Sequence, residues 1–398
     1  MKKLFKVLVI VLLAVCTVNL TACDGNEKDD SFKIGLICLH DESSTYDKNF
    51  INSMYRALDE LGLETSQLEL VTGIGEDETC YQKASELAQT CDIVFADSFG
   101  HEDFMIQAAK ENENVWFCHS TGTKAHTKNL NNYFNAFASI YEGRYLAGIT
   151  AGMKLNEMIE NGEITETEAV MGYVGAFPYA EVVSGYTSFY LGAKSVCPSV
   201  TMKVRYTSSW YDYDKEKAAA EALVNTDNCV LISQHADSYG APEACESLGV
   251  PNVAYNGSTA SKCPETYLVA SKIDWTPYYV EMIQAKMDGE EVSAKDYTGT
   301  LNTGSVKLDT LGKNVAEGTQ EALDAAIAGL KNGTIHVFDT NNFTVNGEKL
   351  TSYLADVDDF GDYAPETEVI KDGYFHESEY RSAPYFDLRI DGITEINK

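Results

Sequence analysis

Seven histidines and ten cysteines are the residues of this chain best suited to metal binding or nucleophilic chemistry, and their spacing supplies neither. There is no Cys-x-x-Cys pair, and His40, His101, His119, His126, His235, His336 and His376 fall at no interval that ligates zinc. No G-x-S-x-G, H-E-x-x-H or P-loop sequence occurs. His101-Glu102-Asp103 and His235-Ala236-Asp237 are dyads in principle, but side chains so close in sequence diverge more often than they cooperate. Neither a cofactor nor a metal is expected. What remains is binding chemistry: a large stock of acids, with 24 Tyr and 16 Phe, most of them core but enough to serve a flat or sugar-like ligand.

The elements that would position such a site alternate regularly. Phe32 to Cys38 reads as a buried strand, and Asn49 to Gly62 follows with a helical period through Phe50, Met54, Ala57, Leu58 and Leu61. Strands at Glu69–Val71, Asp92–Ala96 and Val115–Cys118 are interleaved with helices at Cys80–Ala88 and Glu102–Asn112. After a helix at Tyr141–Met158 the alternation restarts: strands at Ala169–Val174, Thr201–Tyr206, Cys229–Ser233 and Asn252–Tyr255, helices at Ala180–Val196, Asp214–Asn225 and Pro242–Leu248. Short strand-helix alternation implies parallel sheets covered on both faces. Two such units make an α/β protein of two doubly wound lobes around a cleft, with ligand held outside the carboxyl ends of the strands. The expected division is 32–140 plus about 268–298 for lobe 1 and 141–267 plus about 299–330 for lobe 2. A helix is expected at Asn314–Leu330 and a hairpin over Ile335–Leu350, turning at Asn346-Gly347. Residues 331–398 form an extension, acidic and aromatic from Thr351, that is expected to wrap the lobes.

Ahead of the first strand, Lys2, Lys3 and an apolar run from Val7 to Leu20 lead into Leu20-Thr21-Ala22-Cys23. The run is too short to span a bilayer comfortably and reads as a secretory signal over 1–22. The cysteine at the cut makes it resemble a bacterial lipobox, which implies a lipid on Cys23, attachment to the outer face of the cell membrane and a polar tether over 23–31. Cleavage would remove Lys2, Lys3 and Lys6 and no acid, taking the chain's net charge of −31 three units lower. Acidity of that size argues against nucleic acid as a partner. Of the remaining eight cysteines, scattered from Cys38 to Cys263, several are expected as buried free thiols.

Five blocks carry a resemblance: Tyr141-Glu142-Gly143-Arg144-Tyr145-Leu146-Ala147-Gly148, Ala176-Phe177-Pro178-Tyr179-Ala180-Glu181-Val182, Leu191-Gly192-Ala193-Lys194-Ser195-Val196, Ser209-Trp210-Tyr211-Asp212 and Gln234-His235-Ala236-Asp237-Ser238. With Asp47-Lys48-Asn49-Phe50 they follow the order seen in the basic membrane protein family, over about residues 32–330. The chain resembles the lipid-anchored substrate-binding proteins of ABC importers in that family, similar to its purine nucleoside receptors. The resemblance implies a periplasmic-binding-protein type I-like fold, ABC permease subunits as partners and a purine nucleoside or related base as ligand. Carried over by residue, it implies that Phe50 and Phe177 stack on the base and that Asn49 and Asp97 contact its edge. Asp41, Asp237 and Asn256 are the implied partners of the ribose hydroxyls, with Lys272 as a further polar partner.

Read without the resemblance, Phe50 has a core anchor of its helix as its alternative reading, Asp47 and Asp97 are helix caps, and Phe177 is a turn or core residue. Trp210 and Trp275 are expected as packing between lobes and are left out of the site. The alternatives carried forward are an extracellular sensor or adhesin of the same fold and a nucleoside hydrolase.

Overall fold

The computed structural model describes residues 32–292, 294–357 and 364–397. The signal, Cys23 and the tether lie outside the described residues.

The first lobe is built from β1 (Ile34–Ile37), α1 (Thr45–Leu61), β2 (Leu68–Val71), α2 (Glu78–Leu87), β3 (Ile93–Ala96), α3 (Glu102–Glu111), β4 (Trp116–Ser120), the single turn α4 (Ala125–Lys128) and β5 (Tyr133–Ala138). The chain then crosses into α5 (Ile140–Glu160), β6 (Val170–Gly175), α6 (Ala180–Val196), β7 (Thr201–Tyr206), α7 (Tyr213–Asn225), β8 (Leu231–His235), α8 (Gly240–Leu248), β9 (Asn252–Tyr255) and β10 (Tyr267–Ile273). It returns to the first lobe with α9 (Thr276–Asp288) and β11 (Asp296–Gly299), and crosses back with β12 (Val306–Leu308) and α10 (Thr319–Lys331). The first sheet runs β11-β5-β4-β3-β1-β2, all parallel. β1 and β3 are buried on both faces, as parallel strands sandwiched by helices must be.

Local signals set these boundaries. Ser44 caps α1 by accepting from the Asp47 amide, and Gly62, with φ 67°, ends it in the left-handed conformation. Between them Phe50, Ile51, Met54, Ala57 and Leu58 are buried against the first sheet and α9. In the second lobe α5 and α6 pack backbone to backbone. A Cβ on Gly148 would meet the Phe189 carbonyl oxygen at 2.0 Å, and one on Gly192 the Tyr145 carbonyl oxygen at 1.9 Å, so neither position tolerates a side chain.

Three expectations are corrected. β10 belongs to the second sheet, pairing with β9 and β12, so the return to lobe 1 begins near Asp274 rather than 268. The helix expected from Asn314 starts at Thr319, because Gly318 takes φ 78° at its N-cap. Asn346 and Gly347 do form a tight turn with positive φ, closed by mutual bonds between Val345 and Glu348, but no strands extend from it. The extension adds β13 (Leu354–Ala355) paired with β14 (Thr367–Glu368), β15 (Ile370–Lys371) paired with β16 (Tyr374–Phe375), and β17 (Ile393–Glu395). β17 completes the second sheet, ordered β12-β10-β9-β8-β6-β7-β17 and parallel except for β12. The extension is thus anchored in the second lobe, while Ser382 bonds Asp296 of the first.

All eight cysteines among the described residues are buried and free. No helix among those residues is long and apolar enough to cross a membrane.

Candidate ligand cleft

The strand ends of the two sheets face one another. From lobe 1 the loops after β1, β3 and β4 present His40, Phe99 and Thr121; from lobe 2 those after β7, β8 and β9 present Trp210, Asp237 and Asn256. Glu181, in the first turn of α6, and Tyr46, in the first turn of α1, complete the enclosure with His235 and Tyr255. The lobes are closed on it. The Thr45 amide donates to the Asp237 carbonyl at 3.0 Å, and the His40 and Tyr211 rings stack across the gap with centroids 5.1 Å apart. The void left is about 30 Å³, room for a water or two. A second void of about 20 Å³ adjoins it, sharing Phe99, Thr121, Glu181 and Trp210 as walls.

A relay of buried polar groups holds the lobe 2 side. Arg144 is fully buried on α5, donating to Tyr173 Oη (2.9 Å), Ser233 Oγ (2.9 Å) and Ser271 Oγ (3.3 Å), with its guanidinium over the Tyr173, Phe189 and Tyr255 rings. Because Tyr173 Oη accepts from Arg144, its own proton goes to His235 Nδ1 at 3.4 Å. That leaves His235 Nε2–H to donate to Glu181 at 3.3 Å. Burial pushes the His235 pKa down, so this ring is neutral and the Glu181 carboxylate is aimed rather than neutralised. Burial, with Glu216 nearby, pushes the Asp237 carboxyl well up, and Asn256 donates to it at 3.4 Å. Asn256 itself sits at φ 61°, which Asn adopts more readily than most residues.

On the lobe 1 side Asp47, which borders the void, shares a buried pocket with Asp97 and Cys38 behind the wall, their ligating atoms within 4.8 Å of one another. Burial works against a charged Asp47, but hydrogen bonds from His40 and Ser44 outweigh it and hold the pKa below the usual carboxylate range. Burial and the Asp47 charge push Asp97 well above it, so Asp97 is the member that keeps its proton.

Of the eight implied ligand contacts, only Asp237 and Asn256 line the cleft. Phe50 is corrected: it is fully buried and stacked on Trp275 with centroids 4.4 Å apart, because Tyr46, one helical turn earlier, takes the cleft-facing position. Asn49 spends its amide on the Ile273 carbonyl at 2.5 Å, pinning α1 to the end of β10. Asp97 accepts from the Leu39 amide at 3.1 Å behind the wall. Asp41 lies on an exposed loop, where its carboxylate accepts from the Ser43 amide. Lys272 is paired with Asp309 on the β10–β12 edge. Phe177 stands beside the cleft without lining it, stacked on Tyr179 at 5.0 Å and edge-on to Trp210 at 5.3 Å. Trp210, whose sequence context reads as packing, lines both voids with Phe99 and Glu181, and His235 and Tyr255 line the first; the expected ligand contacts include none of the five. A place just after a strand's carboxyl end was the available signal for Phe99 and Trp210.

Two parallel α/β lobes, joined by three crossovers and closed over a polar, aromatic cleft, define a periplasmic-binding-protein type I solute-binding architecture. A solved ABC transporter solute-binding protein from Aeropyrum pernix K1 shares this fold with a TM-score of 0.64, at 12% identity over 77% of this chain and 93% of that one. Residues 34–340 match the family model described as ABC transporter substrate-binding protein PnrA-like, and the chain belongs to that family, one of solute-binding proteins rather than enzymes. It is 30% identical over 312 residues to the purine-binding protein BAB2_0673 of Brucella abortus, covering 75% of this chain and 83% of that protein. It is 32% identical over 276 residues to the putative ABC transporter glucose-binding protein TsgA13 of Haloferax volcanii, covering 69% of this chain but 66% of the relative.

Proposed function

We propose that this protein is the ligand-capturing component of an ABC importer, held at the outer face of the cell membrane by a lipid on Cys23, and that its cleft takes a purine base or nucleoside. The observation that carries the reading is the meeting of aromatic rings at Phe99, Trp210 and Tyr255 with the carboxyl groups of Glu181 and Asp237 in one closed cleft. Rings suit a flat heterocycle, at about 1–3 kcal/mol per stacked base. Carboxylate oxygens accept the N–H and O–H groups that a nucleoside presents. No Lys or Arg is among the side chains lining either void, so a phosphorylated nucleotide finds no fixed cation there to balance its charge. The name of the Brucella relative supports the same class. With about 30 Å³ free, capture requires the lobes to part first and to close around the ligand afterwards.

A sugar is the second reading, favoured by the name of the Haloferax relative, since hydroxyl groups suit the same carboxylates and rings. Calorimetry of the chain from Cys23 onward with inosine, guanosine, adenosine, their free bases and D-glucose separates the two. Heat from purines alone is the expected result, with nucleosides tighter than bases if Asp237 and Asn256 hold the ribose. Heat from D-glucose alone overturns the purine reading. Recovery of free base and ribose moves the protein to the hydrolases, and no heat from any probe favours a sensor or adhesin.

A further inference from the structure

Residues 341–397 lie outside the family-matched segment, yet they supply part of the cleft: Ala383 and Pro384 line the inner void, facing side chains from both lobes. The turn that carries them is built, not draped. The Ser382 amide donates to Asp296 Oδ2 at 2.9 Å and its hydroxyl to Oδ1, which ties the turn to the first residue of β11 in lobe 1. Arg381, 5% exposed, reaches back to the carbonyls of Ala383 and Pro384, both at 3.2 Å, and clasps the turn from inside. Just downstream Phe386 stacks on Phe338 with centroids 4.2 Å apart, and β17 then docks beside β7 in lobe 2.

Polarity changes along the two voids. The outer one is bordered by Asp47, Asp237 and Asn256, the inner one by Phe137, Tyr179, Ala383 and Pro384, and the partition between them carries Phe99 and Trp210. A ligand laid through both has its hydroxyl-rich end at Asp237 and Asn256, its ring at Phe99 and Trp210, and its far edge against the turn. We propose that the Ala383–Pro384 turn is the specificity-determining wall of the cleft, which limits how far the flat end of a ligand extends past Trp210. The inference rests on the small-molecule reading given above. Its consequence for a purine nucleoside is selection by bulk on the ring edge remote from the sugar. A small apolar side chain followed by a rigid ring gives a wall without donors or acceptors, so it measures size rather than hydrogen-bonding pattern.

Two variants and one exchange measurement test this. Ala383→Leu adds bulk into the inner void, and we expect it to weaken adenosine or inosine by about tenfold or more, with the ligand-free thermal midpoint measured alongside to separate lost affinity from overpacking. Asp296→Asn weakens the tie to Ser382 without adding bulk, and we expect it to narrow the ratio between adenosine and N6-benzyladenosine affinities. Wild-type affinity in Ala383→Leu, or an unchanged ratio in Asp296→Asn, overturns the proposal; if Ala383→Leu fails to fold, the ratio decides. If the wild-type protein binds no purine, the purine reading fails on its own, and the wall is judged without ligand. Hydrogen exchange of the Ser382 amide must then be slow in the wild-type protein and faster in Asp296→Asn. Exchange at the free-chain rate in the wild-type protein overturns the wall whatever ligand is found.

Discussion

Thr45 and Asp237 join the lobes twice through a single oxygen: the Thr45 amide donates to the Asp237 carbonyl at 3.0 Å and its hydroxyl to the same atom at 3.1 Å. Thr45 is the first residue of α1, where a backbone amide has no partner within its own helix. The helix end therefore serves as the catch of the closed form. Thr45→Pro removes both donors at a position where proline suits a helix, and Ser44 before it already has the extended ψ of 131° that a following proline favours. The expected outcome is unchanged helical circular dichroism, a larger radius of gyration in solution scattering, and ligand affinity weaker by about 1–3 kcal/mol. An unchanged scattering profile would count against the catch.

Trp210→Ala is expected to weaken purine binding by about 1–3 kcal/mol, the worth of one stack, and to abolish any ligand-induced change in tryptophan fluorescence that Trp116 and Trp275 do not supply. Titration of both proteins by calorimetry checks it.

Phe50→Ala is expected to behave differently. Its ring is fully buried against Trp275 and Tyr46, so truncation opens a core cavity costing about 3–5 kcal/mol in the ligand-free protein. Chemical denaturation without ligand measures this. A ligand-free stability equal to wild type, with affinity lost, would return Phe50 to the site.

Glu377 is 5% exposed, and burial pushes its pKa up to about 8 despite hydrogen bonds and the Arg381 charge. A carboxyl whose folded pKa is raised favours the fold fully below the unfolded value of about 4.5, and that contribution is lost as pH rises through about 8. Glu377→Gln keeps an acceptor for the Tyr385 amide and carries no charge. It is expected to exceed wild type in stability by about 1–3 kcal/mol at pH 8.5 and to lose that advantage at pH 5. Denaturant melts at the two pH values give the difference directly, and a gap that does not vary with pH would disprove it.

Cys23→Ser is expected to move the protein from the membrane fraction to the medium without altering its thermal midpoint, the outcome that the proposed lipid on Cys23 implies at about 0.8 kcal/mol per buried CH₂. Fractionation of cells expressing each form checks it.

Much of the fold was legible because strand and helix alternate at short intervals, and because each doubly wound unit repeats that rhythm. Even the blocks that carried the family resemblance have a packing reason: Gly148 and Gly192 are where α5 and α6 touch backbone to backbone. The lobe of β10 was not legible, since a buried apolar strand near a crossover reads the same whichever sheet it joins. The site was harder. Tyr46 and Phe50 are four residues apart on one face of α1, and only the approach of the second lobe decides which ring borders the cleft. Trp210 carries no local mark separating a ring that packs from one that lines a void. Glu181 is aimed by a relay whose members, Arg144, Tyr173 and His235, lie on three different elements.

The placement of β17 beside β7 reaches past binding to biogenesis. Asn397 donates to the Tyr206 carbonyl and accepts from the Tyr206 amide, contacts that span 191 residues of chain. At ordinary rates of synthesis, roughly 10–40 s separate the appearance of β7 from that of its partner. Throughout that interval β7 is an uncovered sheet edge with a row of unmet amides and carbonyls, a template for pairing with another chain. A nascent chain of this protein therefore has to be kept from its neighbours until its final strand arrives. A truncation that removes Ile393–Glu395 leaves the edge open for good, so the first defect it shows is aggregation rather than loss of affinity.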